Sequence, residues 1–331
     1  MQIGLLQRRD FITLIGAIAV SWPICAYAQL GTRMRRIGAM MLLAEDDPQQ
    51  KAWTEAFLLG LQEAGWTDRG NIQIEYRWGA GDAARARRYA AELVALAPDV
   101  ILAPGSAGLG PMLQATRDIP IVFVHVPDPV GAGFVDSLAR PGGNATGFSL
   151  SEYAISAKWL EQIAPAVTRV AVIRDPAISA GIGQWSAIQA VAPSAGVEVV
   201  PVNLRDAAEI ERTLGTFAQS ANGGLIVAGS ALATTHRDLI IGLAALHKLP
   251  AVYYERLFVA AGGLLSYGAD LTDQYHRAAA YVDCILKGAK PADLPVQEPV
   301  KFDLAVNLKT AKALGIDLPS MILAQANNVI E

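Results

Sequence analysis

Ile37-Gly38-Ala39-Met40-Met41-Leu42-Leu43 is an unbroken apolar run, and Ala44-Glu45-Asp46-Asp47 interrupts it just before Pro48. An apolar run without polar alternation fits a strand covered on both faces, as strands of parallel sheets are. From residue 48 to residue 64 the period changes. Glu55, Phe57, Leu58 and Leu61 sit at helical spacing, and Gly65 supplies a helix stop. Strand, polar loop and helix in that order are one βα unit. Repeated, such units build a parallel α/β domain with right-handed crossovers.

The alternation continues outward. Apolar β-branched runs predict strands at 72–78, 100–103 and 119–124, with a helix at 83–96 and a shorter one before the third strand. The turn residues Arg140-Pro141-Gly142-Gly143-Asn144 then open a second series. Helices are expected at 155–163, 184–192, 207–220 and 235–247, alternating with strands at 169–173, 197–202, 225–228 and 251–254. The tail predicts a strand at 264–267 and a long helix at 270–287 closed by Gly288. Pro291, Pro295 and Pro299 mark an extended segment, and a strand at 302–306 and a helix at 308–314 follow.

The composition removes several classes. With 27 Lys+Arg against 31 Asp+Glu, the net charge of −4 lacks the basic footprint of a nucleic-acid binder. Two cysteines rule out a disulfide framework or a cysteine zinc cluster. The length suits two domains of roughly 150 residues.

The first 28 residues read as an export signal. Arg8-Arg9 form a positive start, residues 11–20 are apolar, and Ala26-Tyr27-Ala28 is a small-x-small cleavage site. The apolar stretch falls short of the ~20 residues a membrane crossing needs. Cleavage after Ala28, by the Sec or the twin-arginine route, predicts a periplasmic protein. Taking 28 residues from 331 leaves 303, and losing Arg8, Arg9 and Asp10 moves the charge from −4 to −5. Cys284 is the one thiol kept.

Catalytic constellations are missing. His125, His236, His247 and His276 fall in no His-x-x-x-His or His-Glu-x-x-His pattern, so no metal site is expected. Gly105-Ser106-Ala107-Gly108 has the wrong spacing for a nucleophile elbow. Gly181-x-Gly183 lacks the third glycine of a dinucleotide fingerprint and reads as a turn. No cofactor is expected, and the chain is not read as an enzyme. What stands out instead are polar loops after the strands, where open α/β sheets bind ligands. Ser106 and the amides that follow suit a carboxylate at a helix start, or Ser106 caps its helix. Asp128, between Pro127 and Pro129, suits a ligand ammonium or closes an Asx turn. Asp175 carries the same two readings. Adjacent strand residues face opposite ways, so only one of Tyr253 and Tyr254 can line a cleft.

Several blocks in order resemble the ABC-transporter substrate-binding proteins of the tryptophan/tyrosine type. They include Ile74-Glu75-Tyr76-Arg77-Trp78, Ile119-Pro120-Ile121-Val122-Phe123 and Asp128-Pro129-Val130. The most specific is Ser137-Leu138-Ala139-Arg140-Pro141-Gly142-Gly143-Asn144 with Thr146-Gly147. Gly262-Gly263-Leu264 with Ser266-Tyr267-Gly268, and Asn307-Leu308-Lys309-Thr310-Ala311-Lys312-Ala313-Leu314-Gly315, complete the series. The resemblance spans nearly the whole chain. It implies two doubly wound parallel-sheet lobes joined by a three-crossover hinge, the type I periplasmic binding-protein fold. Residues 33–148 and 264–298 would form the first lobe, and 149–263 with 299–331 the second. Tyr267 would sit at the hinge.

The implied function is capture of a small solute, such as an amino acid or an aromatic or carboxylate compound, between the lobes. Its partner would be the membrane permease of an importer, and a monomer is expected. The implied contacts are Ser106, Ala107, Asp128, Asp175, Ser230, Tyr254 and Tyr267. One departure concerns the loop Gly229-Ser230-Ala231-Leu232, which lacks the acid or amide often found there. The same fold would also serve a sensor that reports to a signalling receptor, and an exported α/β enzyme is a third reading.

Overall fold

Two sheets account for the alternation. The computed structural model describes residues 33–79, 82–150 and 155–331, and the expected export segment lies outside them. The first sheet has the order β2-β1-β3-β4-β5, all parallel. Its strands are β1 (Arg35–Met41), β2 (Ile72–Trp78), β3 (Val100–Pro104), β4 (Ile121–Pro127) and β5 (Ala145–Leu150). Every residue of β3, β4 and β5 is buried, as strands covered on both faces of a parallel sheet are. Helix α1 (Pro48–Glu63) starts where Asp47 accepts the amides of Gln49 and Gln50, with Pro48 at the first helical position. It buries Trp53, Phe57 and Leu61 on one face of the sheet. Helices α2 (Ala83–Ala95) and α3 (Gly105–Ala115) pack with Met40, Leu93, Ile101 and Phe123 on the other.

The second sheet has the order β12-β11-β10-β9-β8-β6-β7. It contains β6 (Arg169–Arg174), β7 (Glu198–Asn203), β8 (Gly223–Val227), β9 (Ala251–Tyr253), β10 (Leu265–Ala269), β11 (Phe302–Asn307) and β12 (Asn328–Ile330). Only the β10–β11 pair is antiparallel. Helices α4 (Ile155–Ile163), α5 (Ser179–Val191), α6 (Ala207–Phe217), α7 (Ala231–Thr235), α8 (Arg237–Leu246) and α9 (Arg256–Ala260) belong to this lobe. Its core lies in two layers, around Phe217, Tyr253 and Phe258 on one face and Leu160, Val252 and Leu304 on the other.

The chain passes between the lobes three times: between Leu150 and Ile155, at Asp270, and between Gln297 and Phe302. The second passage corrects one expectation. The family resemblance places β10 in the first lobe, yet Ser266 pairs with Tyr253 on one side and Ala305 on the other, inside the second sheet. The first-lobe packing of this stretch starts after β10, with α10 (Leu271–Leu286) against α1 and β4. Asp270 marks the passage by capping α10 through the Asp273 amide. Further on, Val296 and Gln297 donate to the carbonyls of Leu138 and Gly147, which straps the proline-rich segment to β5. Helices α11 (Leu308–Leu314) and α12 (Ser320–Gln325) close the second lobe. No helix among the described residues is long and apolar enough to cross a membrane.

Candidate functional site

The carboxyl ends of β1 and β3 face those of β6 and β8 across a cavity of about 340 Å³. Met41, Leu42 and Phe134 of the first lobe and Ile178 and Leu232 of the second give it apolar walls. Gly105 shapes one wall. Its φ of +63° suits glycine, and a Cβ there would press on the Leu42 side chain at 3.2 Å. This lets α3 begin directly at the cavity. Pro104 holds the capping position and makes no side-chain cap bond. Ser106 therefore lies inside the first turn and does not cap it. Its hydroxyl is buried and has no hydrogen-bond partner. The first-turn amides have no intrahelical acceptor, so this end of α3 is suited to an anion. Ala107 is half-buried beside it.

Asp175 lines the same cavity from the other lobe. It is 6% exposed, and one carboxylate oxygen accepts the Ala177 amide at 2.9 Å. Burial pushes its carboxyl above the usual range, and the Ala177 amide opposes that shift. Helix α5 approaches so closely that a Cβ on Gly181 would collide with the Asp175 carbonyl. Gly181-x-Gly183 is therefore helix, not the turn expected from sequence, and its glycine admits the close approach. Asp82 and Arg87 stand at the exposed edge.

The remaining sequence-derived residues lie elsewhere. Ser230 is buried and caps α7 by accepting the Ala233 amide at 3.0 Å, while its neighbours Ala231 and Leu232 line the cavity. Asp128 is exposed, with φ +39°, and accepts the Gly131 amide at 2.8 Å in an Asx turn. It does not line the cavity. Tyr253 packs on Phe258 in the core, and Tyr254 is the tyrosine of the pair that faces the other lobe. The Tyr254 ring stacks on His125 of β4 with centroids 6.2 Å apart, and its hydroxyl meets Thr234. Tyr267 sits between Trp159 and Phe302 on β10. Tyr254 and Tyr267 share a void of about 20 Å³ with His125, not the main cavity.

Sequence reasoning missed the seam beside that void. Asp47 and Arg237 form an ion pair between lobes at 3.2 Å. Glu255 follows β9 at the capping position of α9, is 7% exposed, and has one oxygen without a partner. Burial, reinforced by Asp47, pushes its carboxyl up to about 8 against the pull of Arg256 and Arg237. His125 is held down to about 4 by burial. A place at the carboxyl end of a strand was the one available signal for Glu255. Among the described residues no group of three or more His, Cys, Asp or Glu is placed to hold a metal ion.

Residues 40–330 match the family model for ABC transporter substrate binding proteins, and the chain belongs to that family. It is 26% identical over 287 residues to a tyrosine-binding protein of Clostridioides difficile, covering 86% of this chain and 82% of that one. A Streptococcus pneumonia ABC domain in complex with L-Trp superposes with a TM-score of 0.84 at 25% identity, covering 89% of this chain and 99% of that one. A conserved domain protein of Vibrio cholerae gives 0.84 at 26% identity over the same shares. The fold is that of the type I periplasmic binding proteins, and the chain is a substrate-binding protein for a small solute.

Proposed function

We propose that this substrate-binding protein captures an aromatic or large apolar amino acid in the cavity between its lobes. The ligand carboxylate would rest on the first turn of α3 and the Ser106 hydroxyl. The ammonium would meet Asp175, and the side chain would lie against Met41, Leu42, Phe134, Ile178 and Leu232. The observation that carries this reading is the pairing across one cavity of a buried hydroxyl without a partner and a buried acid without a cation. Ser106 and the α3 amides favour a negative group, and Asp175 favours a positive one. Asp175 thereby takes the ammonium role that the acid-free loop at residues 229–232 cannot fill. The relatives that bind tyrosine and L-Trp support the same ligand class.

Export to the periplasm, delivery to a membrane permease and a monomeric state complete the reading. The test is calorimetry on the protein with L-tyrosine, L-tryptophan and L-leucine. Binding of at least one is expected, with Ser106→Ala and Asp175→Asn each weakening it by about 1 kcal/mol or more. Absence of binding by all three, or unchanged affinity in both variants, would overturn the assignment.

A further inference from the structure

The seam between the lobes holds a second cavity, of about 220 Å³, that shares no wall residue with the first. Trp53 of α1 faces it from the first lobe, and Tyr254, Glu255 and Arg256 face it from the second. Two of these side chains are more than nine-tenths buried and carry a polar atom with no partner. They are the Trp53 indole N–H and one Glu255 oxygen. Buried polar groups in folded proteins are almost always satisfied. Here an unpartnered donor and an unpartnered acceptor belong to two residues that line one cavity.

Water would satisfy both atoms, but once Glu255 ionises water alone would leave its charge uncompensated. The cations nearest to it are already engaged, Arg237 with Asp47 at 3.2 Å and Arg256 with Asp303 at 3.7 Å. A cationic donor meets the need, and the aromatic rings of Trp53 and Tyr254 suit an ammonium. The indole N–H requires an oxygen acceptor on the same solute. We propose that this cavity is a second ligand site, for a compact amino acid or amino alcohol whose ammonium pairs with Glu255 and whose oxygen accepts from Trp53. Its walls come from both lobes, so an occupant bridges them and its binding is coupled to closure over the cleft.

The site carries its own signature. Glu255 must lose its proton to accept an ammonium, and its carboxyl is pushed up to about 8. The charged and titratable groups around it are Asp47 at the head of α1, Arg237 of α8, Arg256 of α9, Tyr275 of α10 and the adjacent Tyr254, and Asp270 and Asp303 line the same cavity. Affinity therefore rises with pH up to about 8, roughly tenfold per unit, with a proton released on binding.

The experiment titrates the full protein with ethanolamine and with glycine by calorimetry at pH 6.5 and 8.5, with and without L-tyrosine. Binding that strengthens at the higher pH and persists beside L-tyrosine is expected. Ethanolamine alone would identify an amino alcohol, and glycine alone an amino acid. Glu255→Gln should lose at least tenfold in affinity and all of the pH dependence, and Trp53→Phe should weaken binding less. Heat from neither solute would leave a water-filled cavity and overturn the proposal. So would displacement by L-tyrosine, or a Glu255→Gln protein that keeps the pH dependence. The titration without L-tyrosine reads the seam even if the cleft assignment fails, and Ser106→Ala reads the cleft alone.

Discussion

Two cavities lie between the same two lobes, and they are built in opposite ways. The cleft cavity has apolar walls of Met41, Leu42, Phe134, Ile178 and Leu232, and small residues, Ala107, Gly108 and Ala231, leave its space open. The seam cavity is walled by Trp53, Tyr254, Glu255 and Arg256. Shape and apolar area dominate the first, which suits a ligand whose affinity comes from burial. Polar groups dominate the second, and a buried carboxyl without a partner resists ionisation.

The largest expected effect tests the emptiness of the cleft. Ala107 stands on the first turn of α3 and points no bulk into the space beside Ser106. Ala107→Phe should fill that space and reduce affinity for the aromatic amino acid at least a hundredfold, about 3 kcal/mol. Its melting temperature should move little, because the half-buried position borders a void. Calorimetry and thermal unfolding on the same sample check both expectations. Intact affinity would mean that the ligand does not occupy this cavity.

The next effect separates the regions by pH. Glu255 has a native pKa raised to about 8, so its contribution to stability is full below the ordinary carboxylate range and is lost as pH rises towards 8. His125 has a native pKa lowered to about 4, so its contribution is full above the ordinary histidine range and is lost as pH falls towards 4. The two oppose each other in mildly acidic solution. Above about pH 6.5 the opposing rise from His125 is complete and the decline from Glu255 continues. Denaturant unfolding across pH 5 to 9 should show stability falling over that upper interval, by on the order of a few kcal/mol. Glu255→Gln should flatten the fall, whereas Asp175→Asn in the cleft should alter it less. A wild-type curve level from pH 6.5 to 8 would contradict the burial argument.

The contrast also marks what sequence could convey. Strands at 72–78 and helices at 155–163 and 308–314 were legible because their apolar periods are strong, and both lobes followed from the repeated βα order. Strand β5, Ala145-Thr146-Gly147-Phe148-Ser149-Leu150, was not, since small and polar residues hide its burial. The run at 264–267 announced a strand but not its ladder, which depends on Tyr253 and Ala305, neighbours distant in sequence. Ser106 was legible because Gly105 and the preceding apolar strand place it at a helix start. Asp128 and Asp175 both precede a proline and read alike. Tertiary structure turns the first out to solvent and buries the second. Glu255 reads in the sequence as an ordinary charged residue just past a strand, and only the tertiary packing buries it.

The smallest effect concerns the contact that joins the regions. Asp47 and Arg237 bridge the lobes, with side chains 17% and 23% exposed. Ion pairs near the surface contribute about 0.2–1 kcal/mol, so breaking this one should not unfold the protein. It acts only when the lobes are together, so its loss should favour the open form. Arg237→Ala is expected to weaken cleft binding two- to fivefold, with most of the change in the dissociation rate. Asp47→Asn removes the charge but keeps a side-chain oxygen able to cap α1. It should weaken binding by a similar factor without lowering stability, and the double variant should add nothing further. Stopped-flow dissociation measured on the three proteins decides the matter. Additive effects would mean that the two residues act separately, Asp47 through α1 and Arg237 through α8, and not as a latch between the lobes.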